Sequence, residues 1–385
     1  MERKSITDDA QFLRQHTELV ELRSRTGGRV LVAPEWQGKT MTSSVAGEAA
    51  NSYGWINYEF ITSGRVDPQA NLHGGEDRIW IAPEGSQFSF YFPQGKPMDF
   101  ASWKTPALVD TAAFDVVEQS STAVVMECKG TEVNYCGTSF DMKLRRTISV
   151  LDDDALKSLL NVTVPTGVNW VGHESRNELF NDGAIAWDAE TGLPALWVLS
   201  MFKPSTSATL LMPFNNIEKQ LLDEVLTTDY FLPLDEQRLK VDPNNSVIFF
   251  LGDGRHRSKI GLTHAASHSL LASWDDEIEA LTVVQFNRPD SVANGYTKNL
   301  WRELPDPFAG DCVNAYNDGP NDSGGMLGPF YELETLSPAL ALFPGESYTH
   351  AQRTFHFEGD AGGLDQLCRS LFGVSIVQVR SQFAS

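Results

Sequence analysis

The chain is expected to fold as a mainly β protein, a large antiparallel β-sandwich with a few short helices. Three observations lead there. Apolar and polar residues alternate at period two through most of the 385-residue chain after Gly28. The runs are short and end at turn residues, drawn from 30 Gly and 19 Pro. Helical patterns do not alternate with them, as a parallel α/β sheet would require.

The elements follow in order. Phe12, Leu13, Leu19, Val20 and Leu22 recur at near-helical spacing, and Thr26-Gly27-Gly28 ends that pattern. Residues 1–27 therefore read as a helical arm, and residues 28–385 as one domain with no linker or repeat. Residues 29–33 form a strand that stops at Pro34. Residues 79–82 form another, ending at Pro83-Glu84-Gly85, and 88–92 follow as a third. From Phe140 to Val150 the apolar residues share one parity, interrupted by Arg146. An Arg on an inward face is either paired or lining a site. Further strands are expected at 159–164, 196–201, 208–212, 247–251, 281–286, 330–336 and 354–357. Short helical patterns occupy 217–226 and 364–371.

Composition bounds the function. A hydrophobic content of 41% and an aromatic content of 10% supply a sizeable core. The formal net charge of −21 argues against nucleic acid and anionic membrane surfaces as partners. No secretory pattern opens the chain and no run reaches membrane-spanning length, so a cytoplasmic location is expected, with a secreted form trimmed of its signal left open. Four cysteines show no metal spacing. Reduced thiols are expected, with a Cys128–Cys136 bridge across a hairpin left open.

Four constellations carry candidate chemistry. The first is His73-Gly74-Gly75-Glu76-Asp77-Arg78-Ile79-Trp80. Its Gly pair permits a tight turn or a close backbone approach. Arg78 offers a donor fork, and His73, Glu76 and Asp77 surround it. The second runs from His173 through Arg176, Asn177, Glu178 and Asn181. His173 there is a candidate general acid, although a lone His is more often structural. The third is the loop bearing Asp311, Asn314, Asn317 and Asp318. Its oxygens suggest Ca²⁺, but the spacing is not that of an EF-hand, so no metal is expected. The fourth is the pair Glu332 and Glu334. At strand spacing they share a face, roughly 7 Å apart. In a cleft their repulsion and burial would push one pKa up. Trp80 and Trp301 are candidate stacking platforms for a ligand. No nucleophile elbow, phosphate-binding loop or dinucleotide fingerprint occurs, and no cofactor is expected.

The antiparallel pattern and the late Leu333-Glu334-Thr335 strand resemble the galactose mutarotase-like supersandwich, the fold of aldose 1-epimerases. In that family a Glu on a late strand is the base acting on the anomeric hydroxyl, a role the resemblance assigns to Glu334. An Arg in an early Asn-Arg-Ile stretch corresponds to Arg78, in Asp77-Arg78-Ile79. The family's acid His falls where Asn177-Glu178-Leu179-Phe180-Asn181 carries Glu178 instead. His173 or Glu178 would have to substitute for it. The Gly-Glu-Asp-Arg-Ile-Trp and Tyr-Glu-Leu-Glu stretches are closer to a group of uncharacterised bacterial proteins on the same fold.

The resemblance implies a small-molecule carbohydrate ligand and mutarotase-like acid/base chemistry at the anomeric carbon, with no cofactor. A glycoside hydrolase or lyase using paired carboxylates, and a non-catalytic sugar-binding protein, are the alternatives.

Overall fold

The computed structural model describes residues 4–215, 222–231, 234–235, 237–320 and 324–383. Strand accounts for 38% of it and helix for 13%. Both values fit the expected mainly β class.

Two large antiparallel sheets form the sandwich. One has ten strands in the spatial order Leu239–Asp242, Val247–Leu251, Thr209–Pro213, Leu270–Asp275, Ala280–Phe286, Ser347–Gly359, Val168–Asn181, Ser139–Val150, Ala123–Val133 and Asp115–Gln119. The other has six, in the order Leu226–Thr227, Ser258–Thr263, Asp311–Asn317, Tyr331–Leu336, Ala195–Phe202 and Arg78–Ala82. Their facing surfaces bury one apolar core. Ile79, Val198, Ile260, Val313 and Leu333 come from the smaller sheet, and Met126, Leu144, Leu179, Phe250 and Val284 from the larger. Burial of this apolar area is the main stabilising term.

The outer face of the ten-stranded sheet is covered by the helices Asp153–Leu160, Ala361–Phe372 and Ile376–Ser381. Leu156, Leu364, Leu367 and Val379 pack there on Leu211, Phe249, Leu281 and Phe355. Each of these helices is N-capped by an Asp or Ser, satisfying amide donors that the first turn leaves open.

Three local expectations are corrected. The helical arm is the shorter helix Ile6–Leu13, and Val20–Arg23 is a strand paired with Arg29–Ala33. Its alternation of Val20 and Leu22 into the core is period two, not helical. Residues 88–92 form no strand, because Pro83 and Gly85 turn the chain into an irregular aromatic segment. Residues 159–164 are the end of the helix Asp153–Leu160 and the segment after it, since Asp152 caps a first turn there. Of the expected helix at 217–226, residues 217–221 lie outside the described residues, and Leu222–Val225 is helical. All four cysteines are free, including Cys128 and Cys136. No helix among the described residues is long and apolar enough to cross a membrane.

Candidate functional site

Period-two geometry sorts the polar residues of the six-stranded sheet into two environments. Glu332 and Glu334 point away from the core, while Leu333 and Thr335 point into it. On the neighbouring strands Tyr316 stands opposite Glu332 and Leu199 opposite Glu334, with Arg78 opposite Leu199 in turn. The face outside the sandwich thus gathers Arg78, Trp80, Trp197, Lys259, Tyr316, Glu332 and Glu334. Glu84, Trp103, Trp301, Phe231 and Arg257 stand around it and line a cleft.

Two ion pairs cross the cleft floor. Arg78 Nη2 donates to Glu332 Oε1, and both side chains are buried. Lys259 Nζ donates to Glu334 Oε2 at 2.7 Å, and Trp197 Nε1 donates to the same oxygen at 2.9 Å. The cations also sit over indole faces, Arg78 at 5.0 Å from the Trp80 ring and Lys259 at 4.6 Å from the Trp197 ring. Burial pushes the Glu332 carboxyl up to about 7, with Arg78 opposing and Glu334 adding to the rise. Burial likewise raises Glu84, whose Oε1 accepts from Trp103 Nε1 at 3.0 Å. The walls are aromatic: Trp103 stacks on Trp301 at 6.2 Å and on Tyr91 at 6.1 Å.

Asp311 and Asn314 lie beside this floor, over Gly261. A Cβ at Gly261 would come within 2.2 Å of Asp311 Oδ2 and 2.4 Å of Asn314 Nδ2, so only glycine leaves room for them. Tyr230 Oη donates to Asp311, and Asn314 Nδ2 donates to Tyr230 Oη at 3.1 Å. Burial pushes Asp311 up to about 6. Asn317 and Asp318 brace backbone instead. Asn317 Oδ1 accepts from Gly254 N at 2.8 Å, and Asp318 Oδ2 accepts from Leu327 N and Gly328 N.

The remaining expected residues do not reach the cleft. Asp77 precedes Arg78 and so takes the opposite face. Its carboxylate lies between the sheets, where it accepts from Arg146 Nη2 and from Ser175 Oγ at 2.7 Å. This pair answers the question raised by an inward Arg146. Asn177 Oδ1 accepts from Arg146 Nη1 at 2.8 Å in the same network. Glu76 is also interior, taking Ser43 Oγ at 2.7 Å and facing His356 Nε2 at 2.9 Å. His173 is fully buried, 3.6 Å from Glu76, and burial pushes it below the usual imidazole range. Asn181 closes a turn by donating to Ile185 O and Leu342 O.

Arg176 and Glu178 point out of the far face of the ten-stranded sheet, where Glu178 accepts from Ser347 Oγ. His73 stacks on Trp36 at 4.3 Å, outside the cleft, and burial pushes it down to about 3. Gly74 and Gly75, with φ of +93° and +129°, let that segment approach Trp55 O and Thr40 O. Their role is a close backbone passage.

Sequence reasoning singled out Arg78, Trp80, Trp301, Glu332 and Glu334, which the structure brings together. It missed Lys259, Arg257, Glu84, Trp103, Trp197 and Tyr316. The one legible signal was Lys259, a charge inside the otherwise uncharged strand Ser258–Thr263. The others depend on strand order. Among the described residues no group of three or more His, Cys, Asp or Glu is placed to hold a metal.

Similarity to solved structures bears on the fold. A provisional aldose 1-epimerase from Escherichia coli K12 aligns at TM-score 0.50 and 10% identity, over 89% of this chain and 99% of that one. The Slr1438 protein from Synechocystis sp. PCC 6803 aligns at 0.50 and 11%, over 89% and 96%. A galactose mutarotase-like protein from Lactobacillus casei ATCC 334 aligns at 0.45 and 11%, over 88% and 100%. The two alignments at 0.50 give the expected galactose mutarotase-like supersandwich as the fold of this chain. No curated protein matches it by sequence. A family profile does, over residues 4–383, and the chain belongs to the family of unknown function DUF6786.

Proposed function

We propose that this protein binds a carbohydrate in the cleft over the six-stranded sheet and transfers protons at its anomeric centre. The observation that carries this reading is the Glu332/Glu334 pair, held by Arg78 and Lys259 on a floor walled by Trp80, Trp103, Trp197 and Trp301. Indole faces suit the C–H faces of a pyranose, and the charged floor suits its hydroxyls. The names of the structural relatives point the same way.

In this reading Glu334 is the base. It removes the proton of the anomeric hydroxyl, and the C1–O5 bond breaks as the ring oxygen takes a proton. The open-chain aldehyde rotates about C1–C2 and recloses on the other face, returning both protons. The acid is assigned to Glu332, because burial pushes its pKa up to about 7 and so keeps a proton available near neutrality. His173 is packed between the sheets and Glu178 faces away, so neither contacts a sugar in the cleft. Exchange between α and β anomers, followed by NMR with and without protein, tests the proposal.

A second reading, sugar binding without turnover, draws on a specific feature. Lys259 and Trp197 both donate to Glu334 Oε2, so that oxygen is engaged by the protein rather than free for a sugar hydroxyl. Bound sugar without accelerated exchange would favour it.

A further inference from the structure

Three cations line the cleft, and two of them are matched. Arg78 pairs with Glu332 and Lys259 with Glu334. Arg257 is different. Among the described residues it has no ion pair, and its buried Nε has no hydrogen-bond partner. Its guanidinium lies over the Phe231 ring at 4.4 Å. Two carboxylates feel its charge, Glu84 and Asp318, and neither forms an ion pair with it; Glu84 Oε1 is taken by Trp103 Nε1. Asp318 is already engaged by Tyr316 Oη and by the amides of Leu327 and Gly328. A partly buried guanidinium with an unmatched donor is costly unless a ligand satisfies it. In a chain of net charge −21, such a spare cation at a cleft is a selective feature rather than a general surface property.

We propose that the sugar taken by this cleft carries an anionic group, a carboxylate or a phosphate, and that Arg257 receives it. The proposal rests on the carbohydrate reading above. Arg is suited to the task because its fork binds either oxyanion through two parallel N–H donors. Ion pairing would place the charged end of the sugar at Arg257 and leave its hemiacetal over Glu332 and Glu334.

Titration calorimetry tests this with glucose and galactose, their 6-phosphates, and glucuronate and galacturonate. Inorganic phosphate serves as the control for the oxyanion alone. The expected result is that one anionic sugar binds at least tenfold more tightly than its neutral parent, with a preference that shrinks as salt is raised. In Arg257→Met the ratio should fall to about one, and Arg257→Lys should keep part of it, which separates charge recognition from a folding defect. A larger gain for the 6-phosphates than for the uronates identifies the oxyanion as phosphate, and the reverse identifies carboxylate. A preference that survives Arg257→Met overturns the assignment. Neutral sugars binding as tightly as anionic ones would overturn it too, while leaving the carbohydrate reading standing. Absence of binding by every sugar in the set overturns both.

Discussion

Lys259 Nζ lies 2.7 Å from Glu334 Oε2, inside a cleft where both side chains are nearly inaccessible. The two residues sit on strands separated by Asp311–Asn317, so the contact spans one strand of the sheet. The ammonium and the Trp197 indole fix where Glu334 Oε2 stands on the floor, and removing the ammonium leaves the buried carboxylate without its ion-pair partner. The Lys259→Met variant should therefore lose at least about tenfold in turnover, within the range of acid/base effects. Steady-state kinetics on the folded variant checks this, and turnover equal to that of the unmodified protein would count against it.

Glu332 sets a pH dependence. Its pKa in the folded protein stands at about 7, above the ordinary 4.5, because burial disfavours the charged form. The folded protein holds this proton more tightly than the unfolded chain does. The contribution to stability is therefore full below about pH 4.5 and is lost as pH rises through about 7. Glu332→Gln removes the titration. Its stability relative to the unmodified protein should rise between pH 5 and pH 8, measured by denaturant unfolding at each pH. A difference constant across that interval would contradict the assigned shift. Turnover of the unmodified protein should fall above about pH 7, as the acid loses its proton.

The Asp77–Arg146 pair is placed for structure. Both side chains are 1% exposed and lie between the sheets, away from the cleft floor. Asp77→Ala should cost about 3–5 kcal/mol, the usual result of leaving one buried charge unpaired. Equilibrium unfolding measures it, and a cost below about 1 kcal/mol would show that the pair is not a structural clamp.

His173 gives the opposite expectation for activity. Neither of its ring nitrogens has a hydrogen-bond partner among the described residues, and burial favours its neutral form. His173→Gln should leave turnover within about threefold, since it removes no acid from the cleft, whereas loss of a positioned general acid costs on the order of 10²-fold. Steady-state kinetics on the folded variant decides between the two roles.

Much of the fold was legible because strand alternation is written into single runs. Leu333 and Glu334 announce their two faces without any knowledge of their neighbours. The sandwich and the Glu332/Glu334 face followed from that. The site was only half legible, because it is assembled by strand order. Arg78 and Glu332 are 254 positions apart, and nothing in either stretch says which strand lies between them. The same limit misplaced Asp77 and Glu76. Adjacent to Arg78 in sequence, they were expected beside it in the cleft, yet period two and the turn at Gly74-Gly75 send them into the interior. His173 was drawn by its titratable neighbours Glu174 and Arg176, which alternate away from it onto the opposite face.

The central claim is that Glu334 acts as a base on a sugar held over the six-stranded sheet. Polarimetric measurement of anomer exchange with an accepted sugar, comparing the unmodified protein with Glu334→Gln, tests it most directly. The unmodified protein should accelerate exchange, and the acceleration should fall on the order of 10²-fold or more in the variant while the sugar still binds. Exchange that proceeds equally fast in both proteins, or a sugar that binds the unmodified protein without any acceleration, would contradict it.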